Sequence, residues 1–334
     1  MKRPSRAARE QDERRGQQTI HEEGKEAMHA LITGGTGLIG TALCKGLVAD
    51  GHRVTVLTRK ENPTLVPGAV AQIWDARTPE GWGALANEVD VVVNLAGESL
   101  AGQGSLPARW TASQKQRIRQ SRLDAGQALV QAIDGAASPP QVLVQASGIG
   151  YYGTHEDEPI DETAPAGTDF LGKLAVDWEA STAAVEEKGV RRVIIRTGVV
   201  LSAAGGALPK LLFPYRLFVG GPIGSGRQVM SWIHIDDEVN AIRFLIDEAT
   251  AEGAFNLCAP DAVTNREFGS VLGRVMHRPS LLPVPAFAMR ALLGEVADVV
   301  LEGQRAIPKR LQSFGYDFRF ARLEPALRDL LPDR

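Results

Sequence analysis

The sequence predicts an α/β protein built on a doubly wound parallel sheet. From Met28 onward, short apolar strand patterns alternate with amphipathic helix patterns. That alternation is typical of a parallel sheet with helices on both faces. A glycine-rich turn joins the first strand pattern to the first helix pattern. Because parallel strands all end at one edge of the sheet, the loops that follow them are expected to form a ligand site there.

The predicted elements divide the chain into three parts. Residues 1–27 are expected to be a disordered extension, 28–249 a sheet domain, and 250–334 a smaller, mainly helical lobe that completes the substrate side. Strand patterns fall at 30–32, 53–58, 89–95, 142–146 and 193–196, and helix patterns at 38–47, 108–134, 170–188, 281–301 and 322–331. The glycine- and proline-rich stretch 202–232 predicts loops, among them a candidate lid over the site.

The first 27 residues differ in composition from the rest. They carry seven basic and six acidic residues, and Ile20 is their one large aliphatic side chain. Such a segment buries too little apolar surface to order itself, and it lacks the apolar core of a secretory signal. The folded chain is therefore expected to begin at Met28 or His29, and Met28 is also a candidate start.

Charge and composition exclude several classes of partner. The formal net charge of −3 gives no reason to expect nucleic acid or an anionic membrane. No apolar run approaches the roughly 18 residues that span a bilayer. Cys44 and Cys258 lie far apart in apolar contexts, which predicts reduced core residues of a cytoplasmic protein and no metal site. The expected partner is a small molecule, bound by a monomer or a homodimer.

The most specific motif is the turn Thr33–Gly40, which reads Thr-Gly-Gly-Thr-Gly-Leu-Ile-Gly. It contains two overlapping glycine spacings, and it opens a βαβ unit of the expected length. Glycines there permit a tight turn, a close approach of the backbone to a pyrophosphate and close packing of helix on strand. The turn therefore predicts a dinucleotide site. The predicted contacts within it are Gly34, Thr36, Gly37, Leu38 and Ile39.

The residue that ends the second strand distinguishes the two dinucleotides. NAD-binding units carry an acidic residue there, whereas this chain has Arg59 followed by Lys60. A guanidinium cannot accept a hydroxyl proton, but it matches the charge and geometry of a phosphate. The sequence thus favours NADP(H), with Thr58, Arg59 and Lys60 beside the 2′-phosphate and Asp75 at the same edge. The alternative is that Arg59 and Lys60 are solvated loop charges.

Further motifs resemble those of a known superfamily. Asn94-Leu95-Ala96-Gly97 is similar to a strand end of the extended short-chain dehydrogenases/reductases, and Trp232–Asp237 is similar to their late strand-to-helix motif. Within that superfamily the chain resembles the epimerase-family branch (NAD-dependent epimerase/dehydratase-like) with a short C-terminal domain. Additional matching stretches are Arg109-Trp110, Ser121-Arg122, Gly150–Gly153, Asp177–Glu179, Arg196–Leu201, Gly220–Gly226 and Gly303–Pro308. The resemblance covers nearly all of 29–331 and implies a Rossmann-type domain that binds NADP(H).

The resemblance also implies cofactor contacts outside the glycine turn. Leu95 and Ala96 would offer backbone groups near the ribose and pyrophosphate, and two valines would line the nicotinamide end. Arg117 and Arg122 lie five residues apart on the long helix, where one of them would reach a phosphate; the alternative for both is a solvated helix face. Glu98 is a ribose ligand or, alternatively, an acid or base. The implied contacts are Leu95, Ala96, Gly97, Glu98, Arg122, Val199 and Val200.

The superfamily's proton donor has no direct counterpart in this chain. Its members use a Tyr whose pKa is lowered by a Lys four residues later, with a Ser or Thr beside the same substrate oxygen. Here Lys173 is preceded at that spacing by Asp169, which is expected to cap the helix that begins at Phe170. None of the four tyrosines lies four residues before a lysine.

Four residues are the catalytic candidates. Ser147 and Tyr151 match a Ser-x-x-x-Tyr-Gly pattern, with a one-residue ambiguity because Tyr152 precedes the glycine. Either tyrosine would supply the missing acid, and the alternative is aromatic packing against the core or the cofactor. Lys173 would bond the nicotinamide ribose or, alternatively, be a solvated helix lysine.

Two functional hypotheses follow. The first is an NADP(H)-dependent oxidoreductase or epimerase that acts on a small polar or sugar-like substrate. The second is an NADP(H)-binding regulator or redox sensor without turnover, which the missing Tyr-x-x-x-Lys pair favours.

Overall fold

The computed structural model describes residues 27–100, 102, 109–155 and 157–332. The predicted disordered extension, apart from Ala27, lies outside the described residues. The strands are β1 (His29–Thr33), β2 (Arg53–Thr58), β3 (Ala69–Ile73), β4 (Val91–Asn94), β5 (Val142–Gly148), β6 (Pro159–Ile160), β7 (Arg191–Thr197), β8 (Val199–Ser202), β9 (Gly205–Gly206), β10 (Val229–Met230), β11 (Trp232–His234), β12 (Gly253–Leu257), β13 (Val263–Thr264) and β14 (Arg305–Ala306). The helices are α1 (Leu38–Ala49), α2 (Ala112–Asp134), α3 (Phe170–Ala180), α4 (Leu208–Arg216), α5 (Ile235–Asp247), α6 (Asn265–Met276), α7 (Ala286–Leu293), α8 (Asp298–Leu301), α9 (Lys309–Ser313) and α10 (Leu323–Leu330).

The central sheet of the described chain has seven strands in the order β12-β7-β5-β4-β1-β2-β3, and every pairing is parallel. Strands such as β4 are continuous apolar runs, as expected of strands covered on both faces. The strand order reverses between β1 and β4, so the loops after them diverge and open a crevice at the carboxyl edge. The predicted fold class, a Rossmann-type doubly wound sheet, is confirmed.

Apolar stripes on the helices cover the two faces of the sheet. On α1, Leu43 and Leu47 lie about one helical turn apart and are fully buried against one face, together with Ile242 of α5. On α2, Leu129 and Ile133 repeat the same spacing against the other face. Burial of each such side chain contributes roughly 1.5–3 kcal/mol, so truncation of Leu129 to alanine is expected to cost about 2–5 kcal/mol.

The smaller lobe is built from interleaved parts of the chain. Its core joins α4, α6 and α10 through Leu212, Leu272 and Leu327, around the buried Trp232. By contrast, β12 pairs with β7 as the outer strand of the large sheet. The boundary predicted after residue 249 therefore needs correction, because 253–257 belong to the sheet and 208–216 to the lobe. Packing joins segments that are distant in sequence, which composition along the chain does not reveal.

Proline and glycine account for two of the three differences between predicted and observed helices. Within the loops predicted at 202–232, α4 forms because Pro209 stands in its first turn, where the missing N–H leaves no helical bond unmade. The helix predicted at 281–301 begins only after Pro285, its N-cap, and is interrupted at Gly294 with φ +62°. The helix predicted at 170–188 ends at Ala180 and is followed by a 3-10 turn.

The two cysteines are free thiols in the core. Burial raises the pKa of Cys44 to about 11, and it raises the pKa of Cys258 further still. Both thiols are therefore protonated and unreactive at neutral pH, in agreement with the prediction of reduced core residues. Within the described ranges, the structure contains no helix that combines the length and the apolar character needed to cross a membrane.

Candidate functional site

The turn between β1 and α1 is shaped by glycines that leave no room for a side chain. Gly34 has φ +67°, and a Cβ there would lie 2.7 Å from the carbonyl oxygen of Leu95. A Cβ on Gly40 would collide with the carbonyl oxygen of Gly34, so α1 packs directly on the turn. Gly37 caps α1 without a side chain, which leaves the first N–H groups of the helix for a ligand or water. The turn therefore fits a pyrophosphate, which the positive end of the helix also favours.

The tip of the turn borders a second element of the predicted site. Thr36 is exposed, whereas Leu38 and Ile39 are half-buried. Leu38 packs on the β8–β9 hairpin, where a Cβ on Gly206 would lie 2.8 Å from its Cδ2 atom. The hairpin begins with the half-buried Val199 and Val200, which were expected at the nicotinamide end. The fold thus brings the hairpin that carries them against the start of α1.

Three buried polar side chains join the carboxyl ends of β1, β4 and β5. Thr33 Oγ1 donates to Asn94 Oδ1 at 2.7 Å, and Asn94 Nδ2 donates to Gln145 Oε1 at 2.9 Å. Thr33 Oγ1 also accepts the backbone N–H groups of Leu95 and Ala96, each at 3.1 Å. A network of satisfied groups in the core is rigid, so it fixes the loop after β4 beside the glycine turn.

The end of β2 presents two cations. Thr58 is buried and its Oγ1 accepts the N–H of Lys60 at 3.2 Å, while Arg59 and Lys60 are exposed. Asp75, after β3, accepts hydrogen bonds from the backbone and hydroxyl of Thr78, and these lower its pKa. Asp75 thus stabilises its own turn, and Arg59 and Lys60 are the exposed cations at the neighbouring strand end.

Arg122 lies under the loop that follows β4. Its side chain is buried, and Nη1 donates to the carbonyls of Glu98 at 3.0 Å and Ile118 at 2.9 Å. The guanidinium packs against Gly97 and lies over the Trp178 ring, 4.6 Å from the ring centroid. Burial lowers the pKa of Arg122 to about 10. Arg122 thus supports the loop after β4 from below, while its Nε has no hydrogen-bond partner among the described residues, so its predicted phosphate contact stays a prediction.

Glu98 stands at the mouth of the crevice and is partly neutralised. Its carboxylate lies 3.6 Å from Arg117 Nε, and its N–H donates to Ser121 Oγ at 3.0 Å. Arg117 also donates to Gln114 at 2.7 Å on the exposed face of α2. The structure thus agrees with the solvated-face alternative for Arg117.

A buried polar cluster lies at the end of β5. Ser147 Oγ donates to Glu179 Oε1 at 2.7 Å, and that carboxylate accepts two hydrogen bonds of 2.9 Å from Arg196. All three residues are at most 8% exposed. Burial by itself lowers the pKa of Arg196, but the hydrogen bonds and charge of Glu179 outweigh it and raise that pKa above its ordinary value. The Ser147 hydroxyl proton is thus held by a carboxylate in a two-point ion pair.

The two tyrosines of the predicted catalytic loop have different environments. Tyr152 is 1% exposed, and its hydroxyl donates to Asn256 at 2.7 Å and accepts from Arg196 at 3.1 Å. Burial raises the pKa of Tyr152 to about 12. Tyr151 is half-buried, and its ring lies over the Arg196 guanidinium, 3.4 Å from centroid to Cζ. Tyr152 is therefore a core residue, and Tyr151 is the tyrosine with part of its ring at the surface.

The start of α3 contains Asp169 and Lys173, which stand at the spacing of the superfamily's catalytic Tyr and Lys. Asp169 accepts the N–H of Gly172 at 2.7 Å, which confirms the predicted helix cap. Lys173 is exposed, because the helix turns Leu174 and Ala175 toward the core. Two residues correspond to a rotation of about 200° around a helix, so Lys173 faces away from the side that Ala175 buries. Among the described residues, Ser147 Oγ is hydrogen-bonded to Glu179 rather than to Lys173.

Sequence reasoning missed the partners of Ser147, although two signals point to them. Glu179 stands four residues after Ala175 on the buried side of α3, and Arg196 follows the apolar run of β7. A charge inside a buried pattern is expected to have a partner. Which partner each takes depends on the packing of α3 against the sheet, and the sequence does not contain that distance.

Comparison with known proteins agrees with this geometry. The profile of the NAD dependent epimerase/dehydratase family matches residues 30–258, which span the glycine turn and the Ser147 cluster. The chain belongs to that family. A domain of unknown function (DUF1731) matches residues 284–330 of this epimerase-family chain.

Relatives are similar to this epimerase-family chain along most of its length. An epimerase family protein of Staphylococcus saprophyticus is 40% identical over 306 residues, which cover 91% of this chain and 99% of that protein. The chloroplastic SDR39U1 homolog of Arabidopsis thaliana is 40% identical, covering 91% and 87%. The crystal structure of human epimerase family protein SDR39U1 (isoform 2) with NADPH has a TM-score of 0.81 at 35% identity, covering 92% of this chain and 100% of that one.

Proposed function

We propose that this epimerase-family protein binds NADP(H) at the carboxyl edge of its sheet and acts on a small substrate as an oxidoreductase or an epimerase. The observation that carries the proposal is the pairing of β1 with β2, since two adjacent parallel strands end at the same edge. That pairing brings the glycine turn after Thr33 and the cation Arg59 to one side of the sheet. The human relative solved with NADPH supports the same cofactor.

Each part of the dinucleotide has a matching group at this edge. The first turn of α1 and the glycine turn offer backbone N–H groups to the pyrophosphate. Arg59 and Lys60 offer charge to the 2′-phosphate, and the loop held by Thr33 offers Leu95 and Ala96 to a ribose. Bound NADP(H) supplies or takes up the hydride.

Ser147 and Glu179 are the residues we propose to handle the substrate proton. Because the Ser147 hydroxyl already donates to Glu179, its oxygen is left as an acceptor. A substrate hydroxyl is the group that such an acceptor holds, and Glu179 is placed to take the proton that Ser147 gives up. This arrangement favours binding of the alcohol form of a substrate. Tyr151, four residues after Ser147 in the sequence, is the second candidate to contact the same substrate oxygen.

Purified protein tests this proposal in two steps. NADPH and NADH are titrated separately by fluorescence, and the absorbance of NADPH is then followed as a panel of carbonyl compounds and nucleotide sugars is added. We expect tighter binding of NADPH and loss of its absorbance with at least one compound. Binding of NADPH without turnover across the whole panel would contradict the enzymatic part of the proposal.

A regulator or redox sensor without turnover is the second candidate. It is favoured by the start of α3, where Asp169 serves as a helix cap and Lys173 is exposed. Such a protein would respond to the cofactor by a change in shape. Hydrogen exchange of 199–232 with NADPH and with NADP⁺ distinguishes the two, because a sensor must differ between the two redox forms.

We also propose a reducing compartment such as the cytoplasm and a monomeric or homodimeric state. Two free, fully buried thiols are compatible with a reducing environment. The central sheet and the lobe each have a buried cluster within the one chain, so a single copy supplies both walls of the crevice. Light scattering coupled to gel filtration measures the oligomeric state directly.

A further inference from the structure

The smaller lobe exposes large apolar side chains on two segments that lie side by side. One segment is the end of α4 with the residues after it, and the other comes just before α7. The backbone N–H groups at 281 and 282 both donate to the carbonyl of Gly220, at 2.9 and 3.1 Å. We call the exposed side chains of the two segments the apolar surface, and each of them is more than half exposed: Phe213, Leu217, Phe218, Leu281 and Leu282.

On α4 the apolar surface lies opposite the side that packs into the lobe. Leu212 and Tyr215 are buried, whereas Phe213 and Leu217 are exposed. The two exposed residues are four apart in sequence, so they project from one side of the helix. Lys210, three residues before Phe213, is also exposed and lies on that side. The outer side of α4 therefore presents apolar side chains and a cation to water.

Phe218 is exposed at a cost to the backbone. It follows the C-cap of α4 with φ +62°, and its N–H donates to the carbonyl of Tyr215 at 3.0 Å, while the N–H of Val219 donates to that of Pro214 at 2.9 Å. Helices that end in this way usually have glycine at the position of Phe218, because a left-handed backbone is unfavourable for a residue with a Cβ. The side chain is 57% exposed, so burial does not offset the cost. A ring held in water by a strained backbone points to a binding role.

Unpaired cations accompany the apolar surface. Lys210 and Arg216 are exposed on α4, and neither has an ion pair among the described residues. The sequence contains no Asp or Glu within 199–235 or within 268–294, which are the parts of the chain that form the surface. The net charge of −3 for the whole chain therefore does not reveal this local positive charge.

A basic depression opens beside Leu281. Its volume is about 500 Å³, and its wall includes Leu281, Arg274, Arg278 and two serines. Arg274 is paired with Glu324 at 3.1 Å, whereas Arg278 has no carboxylate partner among the described residues and its Nε has no hydrogen-bond partner there. The Cζ atom of Arg278 lies 4.4 Å from the centroid of the Phe218 ring. One cation thus borders both the depression and the apolar surface.

From this combination we infer that the apolar surface docks on an anionic lipid bilayer. Apolar side chains enter the boundary between headgroups and acyl chains, and the cations beside them meet lipid phosphates. The depression that Arg278 borders suits one anionic headgroup. This inference goes beyond the proposed function and does not depend on it. It revises the expectation that was drawn from the net charge alone.

A second copy of the chain is the competing occupant of this surface. A symmetric dimer would press the surface of one copy, with Lys210, Arg216 and Arg278, against the same surface of the other. Because 199–235 and 268–294 supply no carboxylate, like charges would meet without neutralisation. An anionic bilayer neutralises the cations and covers the apolar side chains together. The charges therefore favour a bilayer over a second copy.

Sedimentation with vesicles tests the inference. Full-length protein is mixed with vesicles of phosphatidylcholine, or of phosphatidylcholine and phosphatidylglycerol in equal parts, and the bound fraction is measured as the salt concentration is raised. We expect the protein to sediment with the anionic vesicles and not with the neutral ones. Salt should release it, because the attraction between the cations and the lipid phosphates is screened.

Matched variants assign that binding to the apolar surface. Phe218→Gly removes the ring and places glycine where the backbone favours it, so vesicle affinity should fall about tenfold while the urea midpoint of unfolding does not fall. Arg278→Gln should weaken binding about fivefold. The controls are Val70→Ala, an exposed apolar residue of β3, and Lys45→Gln, an exposed lysine of α1, and both should bind like the wild type.

Each of the other outcomes overturns the inference. Equal sedimentation with neutral and anionic vesicles would remove the role of the cations, and sedimentation with neither would remove the bilayer. Binding that persists unchanged in Phe218→Gly and Arg278→Gln would belong to another part of the chain. A wild-type dimer in light scattering that Phe218→Gly dissociates would identify a second copy as the occupant. None of these measurements uses NADPH, so failure of the proposed function is detected separately.

Discussion

Ser147 Oγ donates a hydrogen bond of 2.7 Å to Glu179 Oε1, across the packing of α3 on β5. The same carboxylate is ion-paired with Arg196, and the three residues are nearly enclosed. A serine in this setting differs from one that is free to donate, because its proton already has an acceptor stronger than a neutral oxygen. The chemistry proposed for this site follows from that single bond.

Removal of the Ser147 hydroxyl is expected to slow hydride transfer without changing cofactor binding. Ser147→Ala leaves the Glu179–Arg196 pair intact, so we expect the rate of hydride transfer to fall about 10²–10⁴-fold while NADPH affinity is unchanged. Single-turnover absorbance of the NADPH–NADP⁺ conversion and a fluorescence titration measure the two quantities. Ser113→Ala, an exposed serine at the start of α2, is the matched control. An unchanged rate in the alanine variant would remove Ser147 from the mechanism.

Neutralising the carboxylate is expected to damage the fold as well. Glu179→Gln leaves Arg196 as an uncompensated buried cation, and breaking a buried pair in this way costs roughly 3–5 kcal/mol in the free energy of unfolding. Urea denaturation of the apo protein measures the loss. Glu186→Gln, whose parent carboxylate pairs with Arg192 at the surface, should cost less than about 1 kcal/mol. Similar losses in the two variants would show that the buried pair has no special weight.

The exposed Arg59 should decide between the two dinucleotides. Arg59→Ala is expected to weaken NADPH binding by one to two orders of magnitude and to leave NADH binding nearly unchanged, because a charge-assisted contact to the 2′-phosphate is worth about 1.5–3 kcal/mol. Parallel fluorescence titrations of both cofactors give the ratio. Arg216→Ala, an exposed arginine on α4, controls for net charge. Equal affinities of the wild type for NADPH and NADH would refute this role.

Gly34 and Gly51 both have positive φ, but only Gly34 also lacks the space for a side chain. At Gly34 (φ +67°) a Cβ would lie 2.7 Å from the Leu95 oxygen, whereas at Gly51 (φ +82°) nothing lies within 4 Å. We therefore expect Gly51→Ala to cost about 1 kcal/mol and to retain NADPH affinity. Gly34→Ala adds a collision that pushes the turn away from the loop after β4, so cofactor binding is lost. Retained binding in Gly34→Ala would contradict the proposed pyrophosphate site.

Glu238 should make stability depend on pH. It is fully buried, Thr197 donates to its Oε1 at 2.8 Å, and Oε2 has no partner among the described residues. Burial raises its pKa from the ordinary value of 4.5 to about 8. The protonated form is therefore favoured by folding. Its contribution to stability is complete below pH 4.5, is lost as pH rises from 4.5 to 8, and changes by at most about 1.4 kcal/mol per pH unit.

A comparison with Glu238→Gln isolates that effect. The difference in free energy of unfolding between wild type and variant, measured by urea at several pH values, should shift against the wild type from pH 4.5 to pH 8. The nearby Cys258 and Tyr316 have pKa values raised by burial, so neither ionises in this interval. Parallel curves for the two proteins would mean that Glu238 is already ionised in the folded state.

Local patterns were enough to predict the cofactor and the glycine turn that is expected to hold it. The turn Thr33–Gly40 and Arg59 are specified by residues close in sequence, because a βαβ unit is a local structure and its glycines have local steric reasons. The cap at Asp169 was predicted for the same reason. The burial of Arg122 and the exposure of Lys173 were not predicted, because each depends on which side of its helix is buried.

By itself the sequence determined the fold class, the dinucleotide motif and its preference for a phosphate-bearing ribose, all through spacings of fewer than about thirty residues. Tertiary structure alone decided the chemistry beside them. It joined Ser147 to Glu179 and Arg196, buried Tyr152 and Arg122 in the interior, and brought the rings of Trp110 and Phe170 into contact. The physical reason is that hydrogen bonds and ion pairs depend on distances between elements, and packing sets those distances only when the whole chain folds.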